Sequence, residues 1–347
     1  MKKMKKKIYL LYPSFQNVGG AHNVIIDQYL GLKDDYKIII SSYDRYEKIN
    51  DEYKKVIPES HYKRLSLLDL LFTRALIISH HRKLTTKLLL LSLFLKRNII
   101  HIAHNEFFSL RYFTLYPSTI IAVSDRVKTN LIEYFRCKPS RVIVIKNGIH
   151  DRYSFDTKGF KYNENDIKIL FPARITKVKN QLNIVNTLKN RLSKNVKIMF
   201  AGDGPLYSDL VKACKDDNNF IPLGFRSDML NLYSETDYVM LFTEKEGLPI
   251  SLLEAAMMGK PIICNNVGGN LEIVEDGVNG FVCNSFPELR DCINNLPTIT
   301  EDTYRDLSKK VREKYLKEFT VNVMIEQYKK IISLVRTWTF PPKTRPY

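Results

Sequence analysis

Residues 238–264, YVMLFTEKEGLPISLLEAAMMGKPIIC, contain the pattern that decides the fold. Short apolar runs at Tyr238–Phe242 and Pro261–Cys264 predict two β-strands, and the apolar spacing of Ile250–Met258 predicts a helix between them. A strand, a helix and a second strand in this order form the repeating unit of a parallel sheet. Two glutamates, Glu246 just before the helix and Glu254 inside it, raise the question of what they bind.

The same alternation begins at residue 167. Before the quoted stretch we predict strands at Ile167–Ala173 and Val196–Ala201, and helices at Val178–Leu192, Leu206–Lys215 and Ser227–Glu235. Alternating strands and helices indicate a parallel sheet with helices on both faces, which is a doubly wound α/β domain.

The first half of the chain alternates less clearly. Its candidate strands are Ile8–Tyr12, Lys37–Ser41, Ala75–Ser79, Ile99–Ala103, Thr119–Ala122 and Val142–Ile145. We therefore predict a first Rossmann-like domain over residues 1–150, a polar linker over 151–166 and a second Rossmann-like domain over 167–318. A helix and tail over 319–347 are expected to pack back toward the first domain. Because ligands of such sheets bind beyond the carboxyl ends of the strands, the two parallel-sheet domains should face a cleft.

Composition points to a globular cytoplasmic protein. The chain has 347 residues, of which 44% are apolar and 26% charged, which is enough for two cores. The apolar run after the basic N-terminus is too short for a signal peptide, and the longest apolar run, Leu88–Leu95, is under half a membrane span. The five cysteines show neither a Cys-x-x-Cys pair nor a metal spacing, which favours free thiols in a reducing compartment.

Positive charge is concentrated in the first half. Residues 1–150 contain 26 Lys and Arg against 12 Asp and Glu, a net charge of +14, whereas the remainder carries a net charge of +3. This asymmetry indicates a polyanionic partner, either nucleic acid or an anionic membrane surface. The sequence lacks the interleaved aromatics, zinc pairs and recognition helix of a nucleic-acid reader, so the membrane is preferred.

Two segments are candidates for the membrane contact. One is the basic leader Lys2–Lys7, and the other is the Leu-rich run Leu88–Leu95, which lies within a helix flanked by basic residues between Arg82 and Arg97. A helix of this kind can lie in the membrane interface. The leader can equally be a solvated tail, and the helix an ordinary cover helix of the first sheet.

Three loops of the second half follow strand ends and can form a phosphate site without a metal. The first carries Arg174 and Lys179, two cations that can grip a diphosphate. The second contains Gly202 and Gly204, which allow close backbone approach. The third leads through Pro249 into a helix whose free N–H groups suit an anion.

Each of these signals also has a plainer explanation. Arg174 and Lys179, taken singly, can be ordinary surface charges. Glu254 can close a capping box with Ser251. That capping box explains neither Glu246 at the preceding strand end nor the cations in the neighbouring loop, so the combination favours a binding site.

The first half offers a glycine pair and a histidine. Gly19 and Gly20 follow the first strand and open a helix, which suits an anion or forms a plain tight turn. His104 ends a strand and is a candidate ligand contact, whereas His101 should pack in the core. The sequence contains no Asp-x-Asp motif, no phosphate loop ending in Gly-Lys-Ser/Thr and no credible Ser/His/Asp set.

The second half resembles the nucleotide-sugar domain of retaining GT-B glycosyltransferases of family 4. The motifs follow the family order over nearly all of residues 167–283: Ala173-Arg174…Lys179, Ala201-Gly-Asp-Gly-Pro205, Leu223-Gly-Phe225, Glu246-Gly-Leu-Pro-Ile-Ser-Leu-Leu-Glu254-Ala, Gly259-Lys-Pro261, Val267-Gly-Gly-Asn-Leu-Glu-Ile-Val and Asp276-Gly-Val-Asn-Gly280. The first half matches more loosely, through Gly19-Gly20, His104, Val123-Ser124 and Asn147-Gly-Ile149. Two positions depart from the family: His150 precedes Asp151, and Asn180 stands where a glycine commonly follows the lysine.

The resemblance implies a retaining sugar transfer from a nucleoside diphosphate sugar, with no metal and no cofactor. Arg174 and Lys179 would stabilise the departing diphosphate, Glu246 would face the transferred sugar, and His104 would contact the sugar or the acceptor hydroxyl. The donor-binding residues that it implies are Gly19, Gly20, Gly202, Gly204, Gly224, Phe225, Arg226, Gly247, Leu248, Pro249 and Glu254.

The predicted reaction moves a hexose or N-acetylhexosamine to a lipid-linked, oligosaccharide or polysaccharide acceptor, as in surface polysaccharide biosynthesis. Family frequency favours UDP as the nucleotide, and the protein is expected at the inner face of the cell membrane. Two alternatives stay open: a basic nucleic-acid-binding protein, and another enzyme on the same scaffold, such as a nucleotide-sugar epimerase or a phosphorylase.

Overall fold

The computed structural model describes residues 5–92, 98–152 and 162–335, and these form two compact units. The first unit comprises the described parts of residues 1–147 and 321–347. The second comprises the described part of residues 148–320. Each unit contains one parallel sheet with helices, so the predicted α/β class with two Rossmann-like sheets is confirmed.

The first unit is built on a seven-stranded sheet in the order β3-β2-β1-β4-β5-β6-β7. Its strands are β1 (Lys7–Leu11), β2 (Lys37–Ser42), β3 (Tyr62–Arg64), β4 (Leu76–Ser79), β5 (Ile99–Ala103), β6 (Thr119–Ala122) and β7 (Val142–Val144). Its helices before the second unit are α1 (Gly20–Leu32), α2 (Asp51–Lys54), α3 (Leu67–Phe72), α4 (Arg82–Leu91) and α5 (Asp125–Glu133). The strand order reverses between β1 and β4, which brings the loops after these strands side by side.

Helix α4 covers one face of this sheet. Its Leu84 and Leu88 belong to the same buried cluster as Ile39, Ile77 and Ile99 of the strands. The cover-helix alternative therefore describes this part of the basic, Leu-rich segment. Residues 93–97 of that segment, and residues 2–4 of the basic leader, lie outside the described residues.

The second unit contains a six-stranded sheet in the order β10-β9-β8-β11-β12-β13. Its strands are β8 (Ile167–Pro172), β9 (Val196–Ala201), β10 (Phe220–Gly224), β11 (Tyr238–Leu241), β12 (Ile262–Cys264) and β13 (Gly280–Val282). Its helices are α6 (Gln181–Leu188), α7 (Tyr207–Cys214), α8 (Met229–Glu235), α9 (Ile250–Met257), α10 (Asn270–Ile273), α11 (Phe286–Asn295) and α12 (Glu301–Glu318). The order reverses between β8 and β11, so the loops that follow these two strands are neighbours.

The last helix belongs to the first unit. Helix α13 (Val321–Leu334) packs against α1, where Gly31 leaves room for Ile325: a Cβ on Gly31 would lie 2.5 Å from Cγ1 of Ile325. Lys329 Nζ adds an ion pair at 2.9 Å to Asp35. Within the described ranges, no helix has the length and apolar content needed to cross a bilayer.

All the predicted strands are present, with ends within one residue of those expected. Three strands were not predicted. β3 and β13 have only three residues each, and β10 contains Pro222, which an edge strand tolerates. The predicted helix Val178–Leu192 is also corrected, because α6 begins only at Gln181 and ends at Leu188.

Candidate active site

The loop after β8 has a fixed shape that presents two cations. Lys177–Lys179 form one turn of 3₁₀ helix, and Asn180 then adopts a left-handed conformation with φ +66°. Asparagine tolerates this conformation better than most residues, which accounts for its standing where the family commonly has glycine. The buried side-chain amide of Gln181 donates through Nε2 to the backbone carbonyl oxygen of Arg174 at 3.1 Å. The Arg174 side chain is exposed.

The structure brings Lys179 and Glu246 into direct contact. Lys179 Nζ lies 2.5 Å from Oε1 of Glu246, and the side chains are 25% and 7% exposed. The backbones of the two loops are also joined, since the amide of Glu244 donates to the carbonyl of Val178 at 2.8 Å. The cation and the carboxylate predicted at neighbouring strand ends therefore form one ion pair, largely shielded from water.

The glycine loop after β9 packs against the loop that carries Arg174. A Cβ on Gly202 would lie 2.1 Å from the carbonyl oxygen of Ala173, so only glycine fits there. The amide of Ile175 donates to the carbonyl of Asp203 at 3.0 Å, and Gly204 follows in the same loop. These contacts set the two predicted phosphate loops side by side.

Helix α9 begins next to Glu246. Pro249 is the N-cap residue, directly before the first helical residue, and no side chain caps this end. Leu248 is buried, and the carbonyl of Gly247 accepts a 2.6 Å hydrogen bond from the amide of Gly269. The free N–H groups of the first helical turn therefore lie a few residues along the chain from the ion pair.

The capping-box explanation of Glu254 is wrong. Ser251 is the second residue of α9 rather than its N-cap, and the hydroxyl of Tyr233 donates to Oε2 of Glu254 at 2.9 Å. Burial raises the pKa of Glu254, and the Tyr233 hydrogen bond opposes that rise. The sequence marked the helix that carries Tyr233 but gave no sign of this contact.

Three of the predicted donor-binding residues, Gly224, Phe225 and Arg226, lie at the end of β10 or directly after it. The carbonyl of Gly224 accepts a hydrogen bond from the amide of Gly202 at 2.8 Å, which joins it to the glycine loop. Phe225 exposes 77% of its surface. The guanidinium of Arg226 pairs with the carboxylate of Asp228 through Nε at 2.7 Å and Nη2 at 2.5 Å.

In the first unit, Gly19 is the N-cap residue of α1, and Gly20 is the first residue of that helix. No side chain caps this end either. The glycine pair therefore opens a helix, as the sequence predicted. Close by, Nε2 of His22 lies 2.8 Å from the carbonyl oxygen of Ser14.

His104 follows β5 and pairs with His80, which follows β4. Nε2 of His104 lies 3.0 Å from Nδ1 of His80, and the two rings stack with an interplanar angle of 19°. Both rings line a cavity of about 150 Å³ together with Tyr12, His81, Arg82 and His101. The pairing of His80 with His104 was not predicted from the sequence.

The histidines around this cavity are neutral at pH 7. Burial, and then the neighbouring imidazole of His22, lowers the pKa of His104 to about 4. Burial also lowers the pKa of His101 to about 3 and that of His80 well below its ordinary value. His101 is packed in the core, as predicted, with Nδ1 2.8 Å from Oγ1 of Thr85.

Comparison with known proteins identifies the domain. Residues 154–314 match the family described as Glycosyl transferases group 1. The UDP-Gal:alpha-D-GlcNAc-diphosphoundecaprenol alpha-1,3-galactosyltransferase of Escherichia coli is 26% identical over 60% of this chain and 58% of its own length. N-acetyl-alpha-D-glucosaminyl L-malate synthase of Bacillus anthracis is 24% identical over 56% of this chain and 54% of its own length. The chain thus spans less than two thirds of the length of these relatives.

Solved structures agree in fold. Anabaena Alr3699/HepE in complex with UDP has a TM-score of 0.80 at 19% identity, over 94% of this chain and 99% of that one. The lipopolysaccharide outer core galactosyltransferase WaaB has a TM-score of 0.74 at 15% identity, over 94% and 99% of the two chains. This chain therefore has the GT-B fold and contains a glycosyl transferases group 1 domain.

Proposed function

We propose that this chain is a retaining glycosyltransferase of family 4. It moves a hexose or N-acetylhexosamine from a UDP-sugar to a lipid-linked, oligosaccharide or polysaccharide acceptor in surface polysaccharide biosynthesis. The observation that carries the proposal is the Lys179–Glu246 ion pair between the loops after β8 and β11, next to the start of α9. One relative is a galactosyltransferase named for UDP-Gal and one fold neighbour is a complex with UDP, and both favour the UDP donor.

In this proposal the diphosphate is held by protein groups alone. Arg174 and Lys179 bind its oxygens, and the N–H groups at the start of α9 add a positive dipole end. As the glycosidic bond breaks, negative charge grows on the leaving phosphate, and each well-placed donor there lowers the barrier by about 3–4 kcal/mol. Neither a divalent metal nor a cofactor is required for this stabilisation.

When the donor binds, the ammonium group of Lys179 has to interact with the diphosphate as well as with Glu246. Lys179 is paired with Glu246, so an arriving diphosphate competes with this carboxylate for the ammonium group. Glu246 then turns its remaining acceptor capacity to the sugar hydroxyls, assisted by the backbone of Gly247, Leu248 and Pro249. The ion pair thereby couples occupation of the phosphate site to orientation of the sugar.

The remaining donor contacts in this proposal are those that the family resemblance implies. Glu254 accepts hydrogen bonds from the ribose hydroxyls, and Phe225 stacks on the base beside Gly224 and Arg226. Gly19, Gly20, Gly202 and Gly204 let the backbone approach the diphosphate. His104 contacts the sugar or the acceptor.

Retention follows from a front-face reaction. The acceptor oxygen forms the new bond on the face from which the UDP oxygen leaves, and the acceptor proton passes to the departing phosphate. The products are the glycosylated acceptor and UDP. Glu246 need not form a covalent intermediate in this route.

The proposed acceptor and the charge of the first half support a location of the reaction at the cytoplasmic face of the cell membrane. Each Lys or Arg near an anionic bilayer adds about 1 kcal/mol of attraction. The protein should therefore bind anionic vesicles more strongly than neutral ones, and high salt should weaken this binding. Equal binding to neutral vesicles at every salt concentration would contradict this part of the proposal.

A thermal-shift panel of nucleotide sugars tests the donor site. A ligand at about 100 times its Kd stabilises the folded state by about 2.7 kcal/mol, so the correct donor should raise Tm clearly, with or without EDTA. Lys179→Met should abolish the shift, and Lys177→Met, on the same turn, should leave it intact. Turnover of the identified donor should then release UDP and give a product with the donor's anomeric configuration. Absence of any shift, or an inverted product, would overturn the proposal.

A further inference from the structure

The segment between β5 and β6 exposes an unusual amount of apolar surface. We call residues 107–116 the aromatic loop. Its most exposed apolar side chains are Tyr112 (86%), Phe113 (78%), Phe108 (66%) and Leu110 (49%). Single exposed apolar residues are common, but a cluster of this size within ten residues marks an interaction surface.

The loop is held firmly in this conformation. The side-chain amide of Asn130 accepts from the backbone N–H of Phe107 at 3.0 Å and donates to its carbonyl at 3.1 Å. Arg82, itself buried, donates to the carbonyl of Ser109 at 2.7 Å and lies over the Phe107 ring at 4.3 Å. Buried polar groups therefore fix the loop while its apolar side chains point to solvent.

The far end of the loop is joined to helix α4. The amide of Leu115 donates to Oγ1 of Thr86 at 3.1 Å. Lys83 and Leu90 lie three and four residues from Thr86 along the helix, Lys87 lies four residues after Lys83 and three before Leu90, and all three are exposed. Residues at these spacings share one helix face, so cations and an exposed leucine adjoin the aromatic loop.

We infer that the aromatic loop, together with Lys83 and Lys87, is a docking surface for an anionic lipid bilayer. Phe108, Tyr112 and Phe113 insert among the headgroups, while the lysines contact lipid phosphates. Aromatic side chains with neighbouring cations are the composition that favours the membrane interface. The net charge of +14 on residues 1–150 matches an anionic surface rather than a neutral one.

This inference deepens the membrane contact in the proposed function, since it assigns that contact to residues. It adds an insertion component that salt does not screen, because burial of apolar surface is not a charge–charge interaction. A purely electrostatic contact through the basic leader would be released completely by salt. The two kinds of contact therefore differ in one measurable respect.

Cosedimentation of the full chain with phosphatidylcholine vesicles, with and without 30% phosphatidylglycerol, tests the assignment. The native protein should prefer the anionic vesicles and keep a bound fraction at high salt. The double variant Tyr112→Ser/Phe113→Ser should bind about tenfold more weakly and be released fully by salt. Leu68→Ser, at a 69% exposed position of α3 outside the loop, is the matched control and should bind like the native protein.

A second double variant tests the contribution of the lysines. Lys83→Gln/Lys87→Gln should lose the preference for anionic vesicles and keep the salt-resistant fraction. Unchanged vesicle binding by Tyr112→Ser/Phe113→Ser would overturn the inference. So would native protein that fails to bind vesicles but forms a dimer that this double variant cannot form, since the loop would then cover a second copy.

The donor thermal shift, measured on the same preparations, distinguishes this failure from failure of the proposed function. It should be identical in the native protein and in Tyr112→Ser/Phe113→Ser. A normal donor shift without vesicle binding would reject the docking surface alone. Vesicle binding without a shift for any donor would reject the transferase proposal alone.

Discussion

The ammonium group of Lys179 and the carboxylate of Glu246 meet at 2.5 Å although 67 residues separate them in the chain. The Glu246 side chain is only 7% exposed, so its charge depends on Lys179 for compensation, whereas Lys179 is 25% exposed and keeps some contact with water. The pair holds the loops after β8 and β11 in register. In the proposed function, it also holds the Lys179 ammonium group at the position where the diphosphate binds.

The two members of this pair should contribute differently to stability and to catalysis. Lys179→Met leaves a buried carboxylate without its cation and should lower stability by about 2–4 kcal/mol, with loss of the UDP-induced thermal shift. Glu246→Gln keeps the lysine and can still accept from it, so Tm and the UDP shift should persist. Its turnover should fall about 10²–10³-fold, because the sugar loses a charged acceptor.

The double variant Lys179→Met/Glu246→Gln completes a cycle. Since the second change removes the carboxylate stranded by the first, the double variant should be more stable than Lys179→Met alone. Chemical denaturation of the four proteins would give the coupling energy, which should exceed about 1 kcal/mol. Strictly additive stabilities would show that the two charges are independent.

The buried carboxylate of Glu254 should lower the stability of the folded protein at neutral pH. In the proposed function, the same charge provides the ribose contact. Because burial raises its pKa in the folded state, its contribution to stability is greatest below the pKa of the unfolded chain. That contribution is lost as pH rises through the folded pKa. Glu254→Gln should therefore raise Tm at pH 8, have little effect at pH 4 and weaken the UDP shift.

Glu235→Gln is the matched control for Glu254→Gln, since Glu235 is exposed on α8. It should change neither Tm nor the UDP shift. In Tyr233→Phe the carboxylate loses its hydrogen bond, so the pKa of Glu254 should rise further. When the pH is lowered, UDP binding should therefore begin to weaken at a higher pH than in the native protein. A Glu254→Gln protein with a lower Tm at pH 8 than the native protein would contradict this account.

Gly268 should be essential to the position of Glu246. Its φ is +56°, and a Cβ there would lie 2.4 Å from the carbonyl oxygen of Glu246. Gly268→Ala should therefore displace the loop that carries Glu246 and reduce turnover by more than its loss of stability explains.

Gly277 provides the control for Gly268. It has a similar φ of +70°, but among the described residues no atom lies within 4 Å of a Cβ placed there. Gly277→Ala should lower the free energy of unfolding by about 1 kcal/mol, the cost of a positive φ for a residue with a Cβ, and keep its turnover. Equal turnover in both alanine variants would show that the Glu246 loop accommodates the methyl group.

The closeness of Lys179 and Glu246 could be predicted because both follow neighbouring strands of a parallel sheet, and strand ends are visible in the sequence. Their ion pair was not predicted. Partners such as Tyr233 for Glu254 were not predictable in the same way. Tyr233 is on α8 and Glu254 on α9, so their contact depends on how two helices pack over the sheet. Hydrophobic periodicity locates each helix but does not specify which side chains meet across the interface.

The start of α6 shows a second limit. Lys177, Val178 and Lys179 continue the helical spacing in the sequence, yet Asn180 adopts a left-handed conformation that breaks the helix before Gln181. Asparagine visits this conformation more readily than most residues but does not require it. The turn is therefore a property of the packed loop, where Gln181 holds the carbonyl of Arg174.

His80 should position His104 and also make the protein sensitive to acid. The folded pKa values of both imidazoles are depressed, so their neutral forms contribute stability above about pH 6.5. This stability is lost as pH falls toward the folded values, at up to about 1.4 kcal/mol per pH unit for each proton. His22 and His101 add to the depression, and Arg82 lines the same cavity.

Two substitutions at His80 separate these roles. His80→Leu removes one titrating group and the partner of His104, so both the acid sensitivity between pH 6.5 and 4.5 and the turnover at pH 7 should fall. His80→Asn removes the same group but can still hydrogen-bond Nε2 of His104, so it should share the weaker acid sensitivity and recover most of the turnover. Thermal midpoints across the pH range and kcat at pH 7 measure both effects. Equal turnover in the two variants would mean that His104 does not rely on His80 for its orientation, since only the asparagine retains a group that can hold the imidazole in place.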